Sequence, residues 1–333
     1  MKIGVFGAGS WGTALAHHFS RRGHDVLVWA REPEVVEGIN ENHQNPLFIK
    51  DLGLHPSLRA SGEPETVGKH ADVWVWVIPV QFSRQVMERL AGSVASSVVL
   101  VSASKGIETH SLRRMDQIAE EILGLGPSRF CALSGPTFAR EVILGFPSAA
   151  VLACSELSVA AQLQGEFSDG HLRCYAGRDL VGVELAGALK NVIAIAAGMV
   201  DGLGFGNNTQ AALMTRGLHE ITRLGVALGA DASTFRGLAG MGDLILTCTG
   251  KLSRNRSVGY RLGRGESLQE ILDSMREVAE GVRTAPAATR LASSLGVEMP
   301  ISDAVTRILA GKIEAKEALA QLMRRELKEE SQL

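Results

Sequence analysis

"MKIGVFGAGSWGTALA", residues 1–16, is the stretch whose reading decides the fold. A short apolar run, Ile3 to Phe6, is followed by glycines at Gly7, Gly9 and Gly12, and then by Ala14, Leu15, Ala16 and Phe19 at helical spacing. That is the order strand, tight turn, helix. In a GxGxxG turn of this kind the first glycine permits the turn and the second lets the backbone approach a pyrophosphate. The third lets the helix pack close to the strand. The phosphates then meet unpaired N–H groups at the positive end of the helix. Glycine-rich turns are common, so the motif alone is weak. It gains weight from a second apolar run, "DVLVWAR" at 25–31, which supplies the next strand of a βαβ unit. A purely structural glycine turn is the alternative at this point.

Outward from this unit the first half of the chain alternates. "ADVWVWVIPV" reads as a buried strand stopped at Pro79, followed by a helical pattern from Ser83 to Leu90. "SSVVLVSASKG" reads as a further strand ending in a loop that carries Lys105, and a helix is expected over Leu112–Leu123. "FCALSGPTFA", "SAAVLAC" and "LRCYAG" add strands. Strands alternating with helices imply a parallel sheet covered on both faces. Near Leu180 the strand-like runs stop. "LVGVELAGALKNVIAIAAGMVDGLG" is one long Ala-rich helix, and "NNTQAALMTRGLHEITRLGVALG" is a second, with Asn207 or Asn208 as its cap. Helices are predicted at Arg256–Leu262, Ser267–Met275, Thr284–Leu295, Ser302–Leu309 and Ala315–Met323, before the charged end "RRELKEESQL", read as frayed. The reading is α/β: a doubly wound, Rossmann-like parallel sheet over residues 1–184, then an all-α domain over 185–333.

Composition agrees. A chain of 333 residues exceeds one ordinary domain, and 45% hydrophobic residues suffice for a substantial core. A net charge of -2 predicts no general affinity for nucleic acid or anionic membrane. The apolar stretch Val192–Val200 is too short to span a bilayer, and the N-terminal apolar run is shorter than a signal-peptide core. Cys131, Cys154, Cys174 and Cys248 form no CxxC and no cluster with His, so they read as reduced thiols of a cytoplasmic protein.

Three places carry candidate chemistry. Lys190 shares its helix face with Ala186, Gly187, Ile193 and Ala194. A lysine in such apolar surroundings loses its charge more easily and becomes a candidate base near neutral pH; the alternative is a lysine snorkelling at a helix edge. Between Asp243 and Glu266 there is no acid, while Lys251, Arg254, Arg256, Arg261 and Arg264 are cationic. Ser253-Arg254-Asn255 precedes a helical stretch, so hydroxyl, guanidinium, amide and helix N–H groups together suit a phosphate; the alternative is a solvated basic face. Lys105 and Gly135-Pro136-Thr137 lie at carboxyl ends of strands, where open α/β sheets bind ligands, or are ordinary loop residues. At the end of the second strand, where an acid would bind the ribose of NAD, the chain has Ala30-Arg31. Arg31 suits the 2′-phosphate of NADP, unless it is a solvated surface arginine.

"GAGSWGTALA", "SASKGIE", "LSGPTFAREV", "ELAGALKNVIAIAAGMVDGLGFGNNTQAALMTRGLHE" and "LAGMGDLILTCTGKLSRNR" occur in this order. Together they resemble the bacterial NAD(P)-dependent glycerol-3-phosphate dehydrogenases along nearly the whole chain. The resemblance implies reversible reduction of dihydroxyacetone phosphate to sn-glycerol 3-phosphate for glycerophospholipid synthesis. It also implies NADP(H) or NAD(H) as cofactor, a helical domain like the C-terminal part of 6-phosphogluconate dehydrogenase, and a homodimer. It implies that Lys190 is the proton acceptor and that Lys105 is shared between cofactor and substrate. It places Gly135, Thr137, Asn191, Asp243, Thr247, Ser253, Arg254 and Asn255 on the substrate. Ser10, Trp11, Arg31, Ala139, Arg254, Val278 and Glu280 fall at cofactor positions beside the three glycines. In that scheme Asp243 orients Lys190, and two ammonium groups polarise the reacting oxygen, so no metal is expected. Another dehydrogenase of the same architecture, or a nucleotide sensor without activity, are the rival readings; joint retention of Lys105, Lys190 and Asp243 speaks against the sensor.

Overall fold

The computed structural model describes residues 1–275, 277–327 and 329–330. Lys328 and 331–333 of the charged C-terminal stretch therefore lie outside the described residues. The chain divides into two compact units: Met1–Ser104 with Met115–Leu180, and Lys105–Arg114 with Val181–Leu333. The second unit thus begins at Val181, where 185 was expected, and it also takes Lys105–Arg114 from the middle of the first.

The first unit runs β1 (Lys2–Phe6), α1 (Ser10–Arg21), β2 (Asp25–Trp29), α2 (Pro33–Asn42), β3 (Gln44–Asn45), β4 (Ile49–Gly53), β5 (Arg59–Ser61) and α3 (Pro64–His70). It continues with β6 (Val73–Trp76), α4 (Val80–Leu90), β7 (Val99–Ser102), α5 (Met115–Leu123), β8 (Phe130–Ser134), α6 (Ala139–Ile143), β9 (Ser148–Cys154), α7 (Leu157–Phe167) and β10 (Leu172–Gly177). Eight strands form one sheet in the order β10-β9-β8-β7-β6-β1-β2-β5, while β3 and β4 make a separate antiparallel hairpin. The strands from β5 to β8 are parallel and, counted along the chain, lie in the doubly wound order 3-2-1-4-5-6. The sheet order reverses between β1 and β6, and the glycine turn leaves β1 at that point.

The central strands are apolar over most of their length, with Lys2 and Asp25 exposed at the starts of β1 and β2, because both faces are covered. Phe6 at the end of β1 packs between Trp74 and Trp76 of β6, with ring centroids 5.1 and 5.0 Å away. The expectation of a wholly parallel sheet needs one correction: β9 runs antiparallel to β8, with Cys131 opposite Cys154. The 135–147 connection does not cross over the sheet. Its helix α6 packs instead with α1, where Ile143 and Ala139 meet Ala14 and Trp11. The chain therefore returns beside the strand it left.

The second unit is helical: α8 (Leu180–Gly202), α9 (Asn207–Ala227), a π turn at Leu238–Gly242, α10 (Asp243–Thr249), α11 (Arg254–Gly263), α12 (Leu268–Asp273), α13 (Glu280–Ser294), α14 (Pro300–Leu309) and α15 (Ala315–Met323). By length and composition alone α8 could cross a membrane, but 89% of its most apolar window is buried inside the protein. It is the central core helix, surrounded by Ile107, Leu224, Phe235, Leu244, Ala285 and Ala288. Gly206 occupies the N-cap of α9, not Asn207 or Asn208, and Asn207 is its first helical residue. Buried Glu220 of α9 accepts hydrogen bonds from the Ile301 and Ser302 N–H groups and so closes the start of α14 from another helix.

Candidate active site

In the first unit the three glycines have the separate duties their spacing implies. Gly7 has φ +111°, a left-handed conformation that favours glycine. A Cβ on Gly12 would lie 1.8 Å from the Gly7 carbonyl oxygen, so α1 can start this close only without a side chain there. A Cβ on Gly9 would meet nothing within 4 Å, so the backbone there is open to a ligand. Gly9 is also the N-cap of α1 and offers no side-chain cap. The indole Nε1 of Trp11 is buried and has no hydrogen-bond partner among the described residues. An open glycine backbone at a helix N-terminus, at the switch point of a doubly wound sheet, fits a dinucleotide pyrophosphate.

The other expected cofactor positions of this unit fall around the turn. Trp11 and Ala139 share one small apolar cluster with Ala14, Ile49 and Ile143. Ser10 Oγ donates to the Phe48 carbonyl at 3.3 Å. Arg31 follows β2, its side chain is 82% exposed, and it pairs with Glu32 at 2.9 Å. Gly135 follows β8 with φ +149°, and Thr137 Oγ1 donates back to the Gly135 carbonyl at 3.3 Å. A Cβ on Gly135 would come 2.8 Å from the Cα of Ala150, so this glycine also has a packing reason to be one.

The second unit assembles the lysines. Lys190 projects from the middle of α8, and Asp243 opens α10 directly after the π turn, with Thr247 one turn further along. Lys190 Nζ donates to Asp243 Oδ1 and, at 2.7 Å, to Thr247 Oγ1. Lys105 Nζ donates to the other oxygen, Asp243 Oδ2, at 2.8 Å. The Thr247 hydroxyl donates to the Asp243 carbonyl at 2.6 Å, which turns its lone pairs toward Lys190. Lys190 is 6% exposed and Asp243 1%. Burial, helped by the nearby Lys105 charge, lowers Lys190 to about 7 against the opposing pull of Asp243. Burial alone would raise Asp243, but Lys105 and Lys190 hold it below its usual value. One carboxylate between two ammonium groups leaves a net positive, nearly dry site. Such a site suits an oxygen that gains negative charge and takes up a proton.

The remaining positions of this unit lie around the start of α11. Ser253 is its N-cap and accepts from the Arg256 N–H at 3.2 Å. The helix therefore begins at Arg254, two residues earlier than the sequence pattern implied. Buried Asn255 accepts from the Gly281 N–H at 2.9 Å, while Arg254 reaches the Val278 carbonyl at 3.3 Å and Glu277 at 3.6 Å. Arg254, Asn255, Val278 and Glu280 are thus brought together at the facing ends of α11 and α13. Asn191, one residue past Lys190, is buried on α8 and donates weakly to Gly187. The basic segment is less bare than it reads: Arg256 pairs with Asp201 and Arg261 with Glu266. Neither acid belongs to the acid-free stretch, which is why the sequence does not show the pairing.

The family models for the N- and C-terminal parts of NAD-dependent glycerol-3-phosphate dehydrogenase match residues 2–160 and 179–320. A protein of Nitratidesulfovibrio vulgaris named glycerol-3-phosphate dehydrogenase [NAD(P)+] is 50% identical over 331 residues, covering 99% of this chain and 100% of that protein. One of Trichlorobacter lovleyi with the same name is 52% identical, covering 99% of both. The crystal structure of glycerol-3-phosphate dehydrogenase from Coxiella burnetii superposes with a TM-score of 0.93 at 33% identity, covering 97% of this chain and 99% of that one. With its Rossmann-like unit, its helical unit and its buried lysine–aspartate cluster, this chain belongs to the NAD-dependent glycerol-3-phosphate dehydrogenase family.

Proposed function

We propose that the enzyme interconverts dihydroxyacetone phosphate and sn-glycerol 3-phosphate, and that Lys190 moves the proton. The buried Lys105–Asp243–Lys190 cluster is the observation that carries this reading. When bound, a nicotinamide dinucleotide would supply hydride-transfer chemistry for C2 of the substrate. For reduction, ammonium Lys190 donates its proton to the carbonyl oxygen; for oxidation, neutral Lys190 takes the hydroxyl proton. Lys105 polarises the same oxygen, and Asp243 orients both lysines. Gly135, Thr137, Asn191, Thr247, Ser253 and Asn255 contact the substrate, and the Arg254 guanidinium clamps its phosphate. The dinucleotide is held by Gly7, Gly9 and Gly12 with Ser10, Trp11, Arg31, Lys105, Ala139, Arg254, Val278 and Glu280. The exposed Arg31 head group suits a 2′-phosphate, which supports use of NADPH. The same reading makes the protein a cytoplasmic homodimer that supplies glycerophospholipid synthesis.

The test follows NADPH absorbance with dihydroxyacetone phosphate. Lys190→Ala should lower kcat by roughly 10²–10⁴-fold while NADPH affinity barely changes. Arg254→Lys should weaken use of dihydroxyacetone phosphate by about tenfold or more, and leave the poor use of unphosphorylated dihydroxyacetone little changed. Near-normal turnover of Lys190→Ala would sink the assignment.

A further inference from the structure

Asn45, which the sequence does not single out, is 0% exposed in the hairpin β3–β4. Its Nδ2 donates to the Ala8 carbonyl at 2.9 Å and to Thr13 Oγ1 at 2.8 Å. Its Oδ1 accepts from the Leu47 N–H at 3.2 Å and from the Phe48 N–H at 3.1 Å. Both donors and both acceptor sites of the amide are used, and flipping it would set NH₂ against two backbone N–H groups, so its orientation is determined. Thr13, also 0% exposed, donates to the same Ala8 carbonyl at 3.1 Å. One carbonyl in the middle of the glycine turn is therefore held inward by two buried side chains.

The consequence lies on the other side of that peptide. The Ala8–Gly9 peptide is trans, and in a trans peptide the C=O and the following N–H point in opposite directions. Drawing the Ala8 oxygen toward Asn45 turns the Gly9 N–H away from the protein interior, out of the turn. That is the position where a Cβ would meet nothing within 4 Å. Hydrogen bonds to the carbonyl also polarise the peptide and make its N–H a better donor. We infer that Asn45, with Thr13, is a positioning residue for the dinucleotide: it orients the Ala8–Gly9 peptide so that the Gly9 N–H faces the bound phosphates. This rests on the reading that the glycine turn holds the cofactor.

The test is the Kd of NADPH for the full chain, titrated by NADPH fluorescence without substrate. Asn45→Asp keeps the size and both acceptor sites but removes both donors and sets a carboxylate against the Ala8 oxygen. Its Kd should rise about tenfold or more, a buried hydrogen bond's loss of ~1.4 kcal/mol. KM for dihydroxyacetone phosphate at saturating NADPH should stay within about twofold of wild type, because the defect lies in cofactor binding only. Thr13→Val leaves the Asn45 bond to Ala8 in place, removes the second donor to Ala8 together with the oxygen that accepts from Asn45 Nδ2, and should raise the Kd less. It decides the matter if Asn45→Asp does not fold. Folded variants with wild-type NADPH affinity overturn the inference. Gly9→Val separates the two ideas. If it abolishes NADPH binding while Asn45→Asp and Thr13→Val bind normally, only the positioning role falls. If Gly9→Val itself binds as wild type, the turn does not hold the cofactor and both fall.

Discussion

Lys190 is governed by burial and by two charged neighbours, each acting in a known direction. Burial lowers it, Asp243 raises it and Lys105 lowers it, with the result at about 7. An acid catalyst must carry its proton and a base must not. Oxidation of sn-glycerol 3-phosphate should therefore speed up as pH rises through about 7, and reduction of dihydroxyacetone phosphate should slow over the same range. The substitutions have opposite signs. Asp243→Asn removes the group that raises Lys190 and should move the oxidation limb to lower pH. Lys105→Met removes a group that lowers it and should move the limb to higher pH. A limb that stays in place in both variants, read from kcat against pH, would assign the titration to another group. The apolar helix face around Lys190 was legible in the sequence. Its carboxylate partner was not legible from the helix pattern and came only from the family resemblance, because Asp243 lies 53 residues away.

Among the elements, the pair α8 and α11 sets the place of the proposed phosphate-binding residues. A Cβ on Gly259 would lie 1.9 Å from the Ile195 carbonyl oxygen, and one on Gly198 would lie 2.0 Å from the Arg256 oxygen. Further along, Gly202 meets Tyr260 and Gly263. The two helices thus run in the same sense, nearly backbone to backbone, and the start of α11 lies on the Asn191 side of the crossing. Ser253, Arg254 and Asn255 are held there. Gly259→Ala has only backbone to push against, so it should separate the helices at a cost of about 1–3 kcal/mol or more. The expected result is a lower denaturant midpoint together with a raised KM for dihydroxyacetone phosphate. Unchanged stability and KM would mean that the helices can part without moving the start of α11.

At the scale of the whole molecule, the chain is not divided by one cut. Lys105–Arg114 belongs to the helical unit although it follows the fifth parallel strand of the sheet. Ile107 is fully buried in the helical core with Leu185 and Leu189. Arg114 pairs with Glu184 at 3.2 Å, and Arg290 donates to the Thr109 carbonyl at 3.0 Å. A fragment of residues 1–184 would carry this segment without its helical core. It is expected to bind apolar dyes and to self-associate on size-exclusion chromatography. A monomeric fragment silent to dye would show that Ile107 can be accommodated without the helices.

The sequence by itself determined what is local or periodic. The glycine turn is set by backbone sterics, the buried strands by continuous apolar runs, and the switch to helices near Leu180 by a change of period. The basic segment and the lysine in its apolar groove were visible for the same reason. Short elements such as β3, β4 and β5 were invisible, since a strand of two to five residues with polar or charged positions has no periodic signal. Only the tertiary structure decided the antiparallel return of β9, the place of Lys105 in the helical unit, and the carboxylate shared by two lysines. It alone showed Asn45 holding a carbonyl 37 residues away. Each of these depends on groups far apart in sequence meeting in space, and hydrogen bonds, charge and close packing act on distance in space, not on order along the chain.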